Sequence, residues 1–257
     1  MTGGGSARES GGGEANFGYR RVDEGEKAPL VRAVFDRVAR RYDLMNDLMS
    51  AGVHRLWKAT LMDMLAPRPG THLVDVAGGT GDIAFRFLDR IEGKGRVTVC
   101  DASEAMVRVG RDRALDRGIV AGIDWVAGDA EALPLADAGA DAYTIAFGLR
   151  NMTHLERALG EARRVLRPGG RFLCLEFSRV ALPLLGALYD RYSFSVVPWL
   201  GEVVAGDRAS YQYLVESIRR FPAQDALARM VAAAGLERVA VRNLSGGIAA
   251  IHSAWRL

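Results

Sequence analysis

The chain has 257 residues, 49% of them hydrophobic, so it can bury one substantial α/β core, and a single domain with appendages is the simplest interpretation. Its two cysteines, Cys100 and Cys174, fall in predicted core strands, so neither a disulfide framework nor a metal cluster is supported and the compartment should be reducing. The net charge is +3, but arginines alternate with acids along the predicted helices, which is typical of a solvated surface and not of a nucleic-acid groove.

The first segment along the chain, residues 1–27, is rich in glycine and has hardly an apolar residue before Phe17. We interpret it as a disordered tail that precedes one folded domain at residues 28–257. The tail lacks the apolar core of a signal peptide, and the chain contains no run of about 18 apolar residues that would span a membrane. We therefore expect a cytoplasmic protein.

An N-terminal helical cover is predicted over residues 28–66. Apolar residues recur at helical spacing across 29–49 until Asn46 and Asp47 break the pattern, and a further helix is predicted over 54–66. A Pro-Arg-Pro-Gly sequence then ends the helical region. The simplest interpretation is a pair of helices packed on a sheet.

A glycine-rich stretch at residues 77–84 follows a predicted strand that carries an acid, Asp75, near its end. Glycine recurs at Gly79 and Gly81, where a sharp turn lets a ligand approach the main chain before a helix begins. The spacing Gly-x-Gly-x-x-Ala fits the relaxed dinucleotide fingerprint, in which backbone amides receive a pyrophosphate. A carboxylate at Asp75 would repel a pyrophosphate and suits a cationic amino group, as in the methionine part of S-adenosylmethionine. The glycines alone leave both cofactors open.

Two further acids stand where the next two predicted strands end. Asp101 closes the strand over 95–101, where a carboxylate can accept both hydroxyls of a ribose, which both candidate cofactors carry. Asp129 follows the strand over 123–127 and is placed to accept from an adenine amino group, while the Ala130 amide could donate to a ring nitrogen. Three acids at three successive strand ends form the candidate cofactor site.

Strands and helices alternate through most of the chain, which predicts a parallel, doubly wound α/β sheet of the Rossmann-like type. The pattern changes at residues 180–222, which are apolar but interrupted by prolines and charges, and we interpret them as an inserted helical lid. Such a segment is either a pair of core helices or the wall of a site for an apolar chain, which could dip into a membrane surface. Residues 236–242 and 247–256 then predict a terminal hairpin of two strands.

Several of these motifs resemble those of a known family. The glycine loop and the strand-end acids look like the successive motifs of class I S-adenosylmethionine-dependent methyltransferases. Four longer blocks, which fall in order and at family spacing, are similar to the ubiquinone/menaquinone biosynthesis C-methyltransferases: residues 35–47, 77–82, 147–151 and 175–178. The resemblance runs from about Val31 to the C-terminus. It implies a seven-stranded class I methyltransferase sheet, S-adenosylmethionine as the cofactor, and cofactor contacts at Asp75, Gly79, Thr80, Gly81, Asp101, Asp129 and Ala130.

The reaction that the resemblance implies is methylation of a ring carbon in a methoxylated polyprenyl benzoquinol, in demethylmenaquinol, or in both. Ionising the neighbouring phenolic hydroxyl activates that carbon, and doing so at neutral pH requires about 4 kcal/mol, a shift of roughly three pKa units. Arg150 follows the fourth strand and is the predicted catalytic cation, the alternative being a surface arginine paired with an acid. Asn151 and Tyr42 are predicted to orient the quinol hydroxyl. Many members of the family have a serine where this chain has Ala146, so one polar cofactor contact is missing.

The implied partners follow from the polyprenyl tail of such a substrate. We expect peripheral contact with the inner face of the membrane, contact with other quinone-biosynthesis enzymes and a homodimer as possible associations, and no nucleic acid. The alternatives are methylation of another small hydrophobic acceptor, a non-catalytic scaffold in a quinone-synthesis complex, and a nicotinamide oxidoreductase. Asp75 argues against the oxidoreductase, and intact acids at all three strand ends argue against the scaffold. Benzoquinol and naphthoquinol are flat diols with the same tail, so the sequence does not separate them.

Overall fold

The computed structural model describes residues 13–50, 52–180, 195, 197–200, 202–203 and 207–257. Along the chain, the strands are β1 (Glu14–Phe17), β2 (Arg20–Asp23), β3 (His72–Val76), β4 (Arg96–Asp101), β5 (Ile123–Ala127), β6 (Ala140–Ala146), β7 (Leu166–Phe177), β8 (Glu237–Leu244) and β9 (Ala249–Trp255). The α-helices are α1 (Glu24–Val38), α2 (Tyr42–Ser50), α3 (His54–Leu65), α4 (Asp82–Arg90), α5 (Glu104–Asp116), α6 (Leu155–Val165), α7 (Val197–Leu200), α8 (Arg208–Arg220) and α9 (Gln224–Ala233).

The central sheet of the described residues has seven strands in the order β5-β4-β3-β6-β7-β9-β8. Neighbouring strands from β5 to β7 run parallel, whereas β9 is antiparallel to both β7 and β8. Successive residues of a strand point to opposite faces, so Leu73 joins one apolar cluster and Val74 the other. Both faces are therefore covered, as a doubly wound sheet requires, and the predicted fold class and terminal hairpin are confirmed.

The N-terminal residues 14–27 are ordered, which corrects the predicted tail at 1–27. They form the β1–β2 hairpin and the start of α1, while residues 1–12 lie outside the described part of the chain. The ring of Phe17 stacks on that of Tyr213 in α8, with centroids 4.2 Å apart. The hairpin is thus stabilised by a partner far along the chain, and such a contact leaves no trace in local hydrophobic periodicity.

The helical cover differs from the prediction in its breaks. A 3₁₀ turn at Ala39–Arg41 separates α1 from α2, and Asn46 and Asp47 lie inside α2 instead of ending it. The Asp47 carboxylate accepts hydrogen bonds from the next helix, at 2.9 Å from His54 Nε2 and 2.7 Å from Arg55 Nη2. These tertiary partners outweigh the weak helix propensity of Asp47.

The segment predicted as a lid, residues 180–222, is described only in part. Residues 181–194, 196, 201 and 204–206 lie outside the described residues, so the lid prediction is untested over most of its length. The helix α8 buries Tyr211, Leu214 and Val215 in the core, which matches the interpretation of this end as a core helix. Among the described helices, none combines the length and the apolar character needed to cross a bilayer.

Candidate active site

A cavity lies at the carboxyl ends of the parallel strands. The neighbours of β3 in the sheet are β4 and β6, so the chain moves to opposite sides of β3 at this point, which is where open α/β sheets bind ligands. The space between its lining residues, about 530 Å³, is partly open to solvent. Five of the predicted site residues line it: Gly79, Asp101, Asp129, Ala130 and Asn151.

The backbone around the cavity departs from ordinary strand geometry at two residues that are not glycine. Ala77 follows β3 with φ of 50°, and Phe147 follows β6 with φ of 59°, both in the left-handed region. A Cβ at Gly148 would collide with the Cβ of Ala77, so the two strand ends approach each other as closely as their atoms allow. Backbone strain of this kind persists where the surrounding packing enforces it and is concentrated at functional sites.

Asp101 ties the glycine loop to the end of β4. Its Oδ2 accepts the backbone N–H of Gly79 at 2.9 Å, and its Oδ1 accepts that of Ser103 at 2.8 Å. Burial raises the pKa of Asp101 to about 6, although the two backbone donors favour the charged form. A carboxylate oxygen has lone pairs beyond those used here, so Asp101 can still accept from hydroxyl groups in the cavity.

Asp129 and Ala130 close the same wall after β5. Asp129 Oδ1 accepts the backbone N–H of Glu131 at 2.9 Å, which fixes the carboxylate in a tight turn. Ala130 is buried, with 4% of its surface exposed, and it also borders the cavity. Two of the three acids that the sequence places at successive strand ends thus border one largely apolar cavity.

Asp75 lies behind the loop and is not among the residues that line the cavity, and its predicted contact with a ligand stays a prediction. The residue is fully buried, and its Oδ1 accepts the Thr144 hydroxyl at 2.7 Å. Its Oδ2 has no hydrogen-bond partner among the described residues and lies beneath Gly78, where a Cβ would come within 2.7 Å of it. Burial raises the pKa of Asp75 to about 7, partly opposed by Thr144 and by the charge of Lys58.

Thr80 and Gly81 shape the loop from outside the cavity wall. The Thr80 hydroxyl accepts a hydrogen bond from Arg113 in α5 at 2.6 Å, so it holds a helix against the loop instead of reaching into the cavity. Gly81 has φ of 84°, and a Cβ there would lie 2.6 Å from the Trp125 ring. Both residues pack the loop against its surroundings, and their predicted contact with a cofactor stays a prediction.

Arg150 forms a buried ion pair with Glu176 and is not an exposed cation. Its Nη1 donates to Glu176 Oε2 at 2.9 Å and to the carbonyl of Phe147 at 2.6 Å, and each side chain of the ion pair is only 1% exposed. The sequence predicted either a catalytic cation or a surface arginine paired with an acid. The pairing is present, but it lies in the core, because strand β7 places Glu176 beside the turn that carries Arg150.

Of the other two predicted catalytic residues, the structure describes the side chain of Asn151 but not that of Tyr42. Asn151 lines the cavity, and its Oδ1 accepts the hydroxyl of Tyr213 at 3.0 Å. Tyr42 is the first residue of α2, and its side chain lies outside the described part of the structure. His154, three residues after Asn151, lies 2.8 Å from Glu24 and so pairs with the start of α1.

Helix α1 supplies cavity residues that the sequence analysis did not single out. Val31 and Phe35 line the cavity, and the helix is tied across it by Lys27, whose Nζ donates to the carbonyl of Met152 at 2.6 Å. A second tie joins Ser103 Oγ to Asp36 Oδ1 at 2.5 Å. The helical spacing of Val31 and Phe35 was visible in the sequence, but nothing local indicates which cavity such a face covers.

Lys58 of α3 is a further buried group that the sequence did not reveal. Its Nζ lies 2.8 Å from Asp82 Oδ2 and 5.9 Å from the centre of the Phe147 ring, and the residue is 3% exposed. Burial disfavours the charged form of Asp82, but Lys58 and Arg86 together lower its pKa to about 2. A buried charge pair therefore stabilises the start of α4 behind the glycine loop. The described residues contain no group of three or more potential ligands for a metal ion.

Comparison with known proteins connects this geometry to a family. The model of the ubiE/COQ5 methyltransferase family matches residues 21–256. A protein of Paracoccus denitrificans named ubiquinone/menaquinone biosynthesis C-methyltransferase UbiE is 62% identical over 95% of this chain and 97% of its own length. A protein of Brucella abortus with the same name is 55% identical over 96% of this chain and 93% of its own. A solved structure of a SAM-dependent methyltransferase from Thermotoga maritima, 22% identical, has the same fold, with a TM-score of 0.60 over 88% of this chain and 100% of its own. The chain belongs to the ubiE/COQ5 methyltransferase family.

Proposed function

We propose that this chain transfers the methyl group of S-adenosylmethionine to a ring carbon of a polyprenylated benzoquinol, of demethylmenaquinol, or of both. Membership of the family and the names of relatives that are 55% and 62% identical support this activity. The observation in the structure that carries it is the pair of carboxylates, Asp101 and Asp129, at successive strand ends in one apolar cavity. These two hydrogen-bond acceptors in an apolar cavity fit an adenosine, whose hydroxyls and amino group donate hydrogen bonds while its ring is apolar.

The cofactor site is assigned residue by residue from the same wall. Asp101 would accept the ribose hydroxyls, and Asp129 the adenine amino group, while Gly79 leaves room for close approach to the main chain. When bound, S-adenosylmethionine supplies an electrophilic methyl group on a positively charged sulfur. The chain's task is then to hold a nucleophilic carbon in line with that methyl group and to exclude water.

The residues that would act on the acceptor are those at the end of β6. The amide of Asn151 reaches the cavity and can donate a hydrogen bond to a quinol oxygen. The guanidinium of Arg150 is one residue away but is engaged by Glu176, so we assign it a role in shaping this turn and in adding positive potential near a phenolate. Tyr42 remains a predicted orienting residue on the helical cover.

We also propose that the protein works at the inner face of the membrane, where a polyprenyl acceptor resides. Two apolar residues within the predicted lid support this, because Trp199 is 54% exposed and Val203 is 64% exposed. An exposed tryptophan can lie at the level of lipid head groups, with its ring in the apolar layer. The membrane association would then be peripheral.

The test is methyl incorporation from labelled S-adenosylmethionine into short-tailed demethylated benzoquinol and naphthoquinol, each kept reduced. Label on a ring carbon supports the proposal and shows the preferred ring. Asp101→Ala should lose cofactor affinity, whereas Asp63→Ala, which changes an acid whose side chain is 63% exposed on α3, should retain it. Tight cofactor binding with no label on either ring would refute the quinol assignment and leave the methyltransferase family intact.

A further inference from the structure

One buried hydrogen bond joins the cofactor cavity to a residue that the proposed function does not use. Tyr213 of α8 donates its hydroxyl hydrogen to Oδ1 of Asn151 over 3.0 Å, and both residues are buried, at 4% and 7% exposed. Asn151 lines the cofactor cavity, while Tyr213 borders a neighbouring one. We propose that Tyr213 is a positioning residue, whose hydroxyl holds the Asn151 carboxamide so that its NH₂ group is presented to the acceptor; this rests on the proposed function.

The direction of this bond decides what Asn151 can bind. Burial raises the pKa of Tyr213 well above its usual value, so the phenol keeps its proton at every working pH and remains the donor. The carboxamide of Asn151 has one accepting oxygen and one donating NH₂ group, and Tyr213 engages the oxygen. The group left for the cavity is therefore a donor. Its complement on a ligand is an oxygen acceptor, such as the phenolate or hydroxyl oxygen of a quinol.

Both partners of the bond are held from outside. The backbone N–H of Asn151 donates to the carbonyl of Gly148 at 3.0 Å, which sets its main chain in the turn after β6. On the other side, the Phe17 ring lies nearly parallel to that of Tyr213, with 16° between the planes. The backbone N–H of Tyr19 also donates to Glu216 Oε2 at 2.9 Å. The β1–β2 hairpin therefore restricts the Tyr213 ring through the stacked ring of Phe17.

A double-mutant cycle tests the proposal. Tyr213→Phe removes one hydroxyl, and we expect kcat for the quinol to fall about three- to tenfold, the effect of one net hydrogen bond, with the Kd for S-adenosylmethionine unchanged. The double variant Tyr213→Phe/Asn151→Ala should be no slower than Asn151→Ala, because the hydroxyl acts through Asn151. Ser217→Ala removes a buried hydroxyl of the same helix that donates to the carbonyl of Leu214 in its own turn, and it should keep wild-type kcat. Full activity in Tyr213→Phe, or additive losses in the double variant, would overturn the proposal.

A second readout does not depend on turnover. The side-chain NH₂ signals of Asn151 in a proton–nitrogen NMR spectrum can be identified by their loss in Asn151→Ala. They should shift in Tyr213→Phe and stay in place in Ser217→Ala, and unchanged signals in Tyr213→Phe would overturn the positioning role. If the signals shift but the wild type methylates neither quinol, the proposed function fails while the hydrogen bond that orients Asn151 stands. Phe17→Leu should move the same signals by a smaller amount, because the ring support is weakened and the hydroxyl is kept.

Discussion

Removing the acid from the buried ion pair should be among the most destabilising single changes in the chain. In Glu176→Ala the guanidinium of Arg150 stays in the core, with its side chain 1% exposed, and loses the carboxylate 2.9 Å away. Glu176 also accepts the backbone N–H groups of Arg150 and Phe177, at 3.2 and 3.1 Å, and these donors become unsatisfied as well. Breaking a buried pair from one side costs about 3–5 kcal/mol, which for a chain of this size lowers Tm by about 6–15 °C.

Thermal and urea unfolding, followed by circular dichroism, measure this loss. The matched control is Asp63→Ala, which breaks an arginine–carboxylate contact of 2.6 Å whose side chains are 47% and 63% exposed. An exposed pair contributes about 0–1 kcal/mol, so the control should unfold within about 3 °C of the wild type. Equal losses in the two variants would show that the burial of the Arg150–Glu176 pair has no energetic consequence, and the reasoning would be wrong.

Three further predictions concern the cavity. Folding raises the pKa of Asp75 from 3.8 to about 7, so its contribution to stability is present below about pH 4 and is lost as the pH rises through 7, by up to about 4 kcal/mol. The Tm of the wild type should therefore fall relative to the Tm of Asp75→Asn over this range, and a constant difference between the two would contradict the pKa shift. Gly148→Ala should lower both stability and cofactor affinity because the added Cβ collides with Ala77. Its control is Gly160→Ala in helix α6, where an added Cβ meets nothing within 4 Å and should raise stability by about 0.5–1 kcal/mol. Calorimetry distinguishes the two variants, and similar unfolding free energies would contradict the geometry. Deleting residues 14–23 should lower Tm and kcat together because Phe17 no longer supports Tyr213. An unaffected kcat would show that the β1–β2 hairpin does not influence the site.

The sequence was most informative where the signal is local. The glycine loop, the acids at the strand ends and the terminal hairpin are each encoded within a few residues, and the structure confirms that Asp101 and Asp129 reach one cavity. Parallel strands end at the same edge of a sheet, so two acids far apart in the chain could be brought together by counting strands alone. No knowledge of side-chain packing was needed for that step.

The contacts that the sequence did not predict share a physical cause, which is a partner distant in sequence. Thr80 has the position of a cofactor contact, but its hydroxyl accepts a hydrogen bond from Arg113 in helix α5. Arg150 is engaged by Glu176 on strand β7. The order of residues 14–23 likewise depends on Tyr213. Burial and pairing of this kind are properties of the assembled fold, so composition and periodicity do not reveal them.

The place of β9 in the sheet has a consequence for how the protein is made. This strand is the last along the chain, yet it lies inside the sheet, between β7 and β8. During synthesis, β4, β5, β6 and β7 can each pair as they emerge, since each has one neighbour in the sheet that has already been made, but β8 pairs in the sheet only with β9. Until β9 is inserted, β7 presents an unpaired edge and β8 has no sheet partner, so the nascent chain is most exposed to mispairing in the interval before β9 is made.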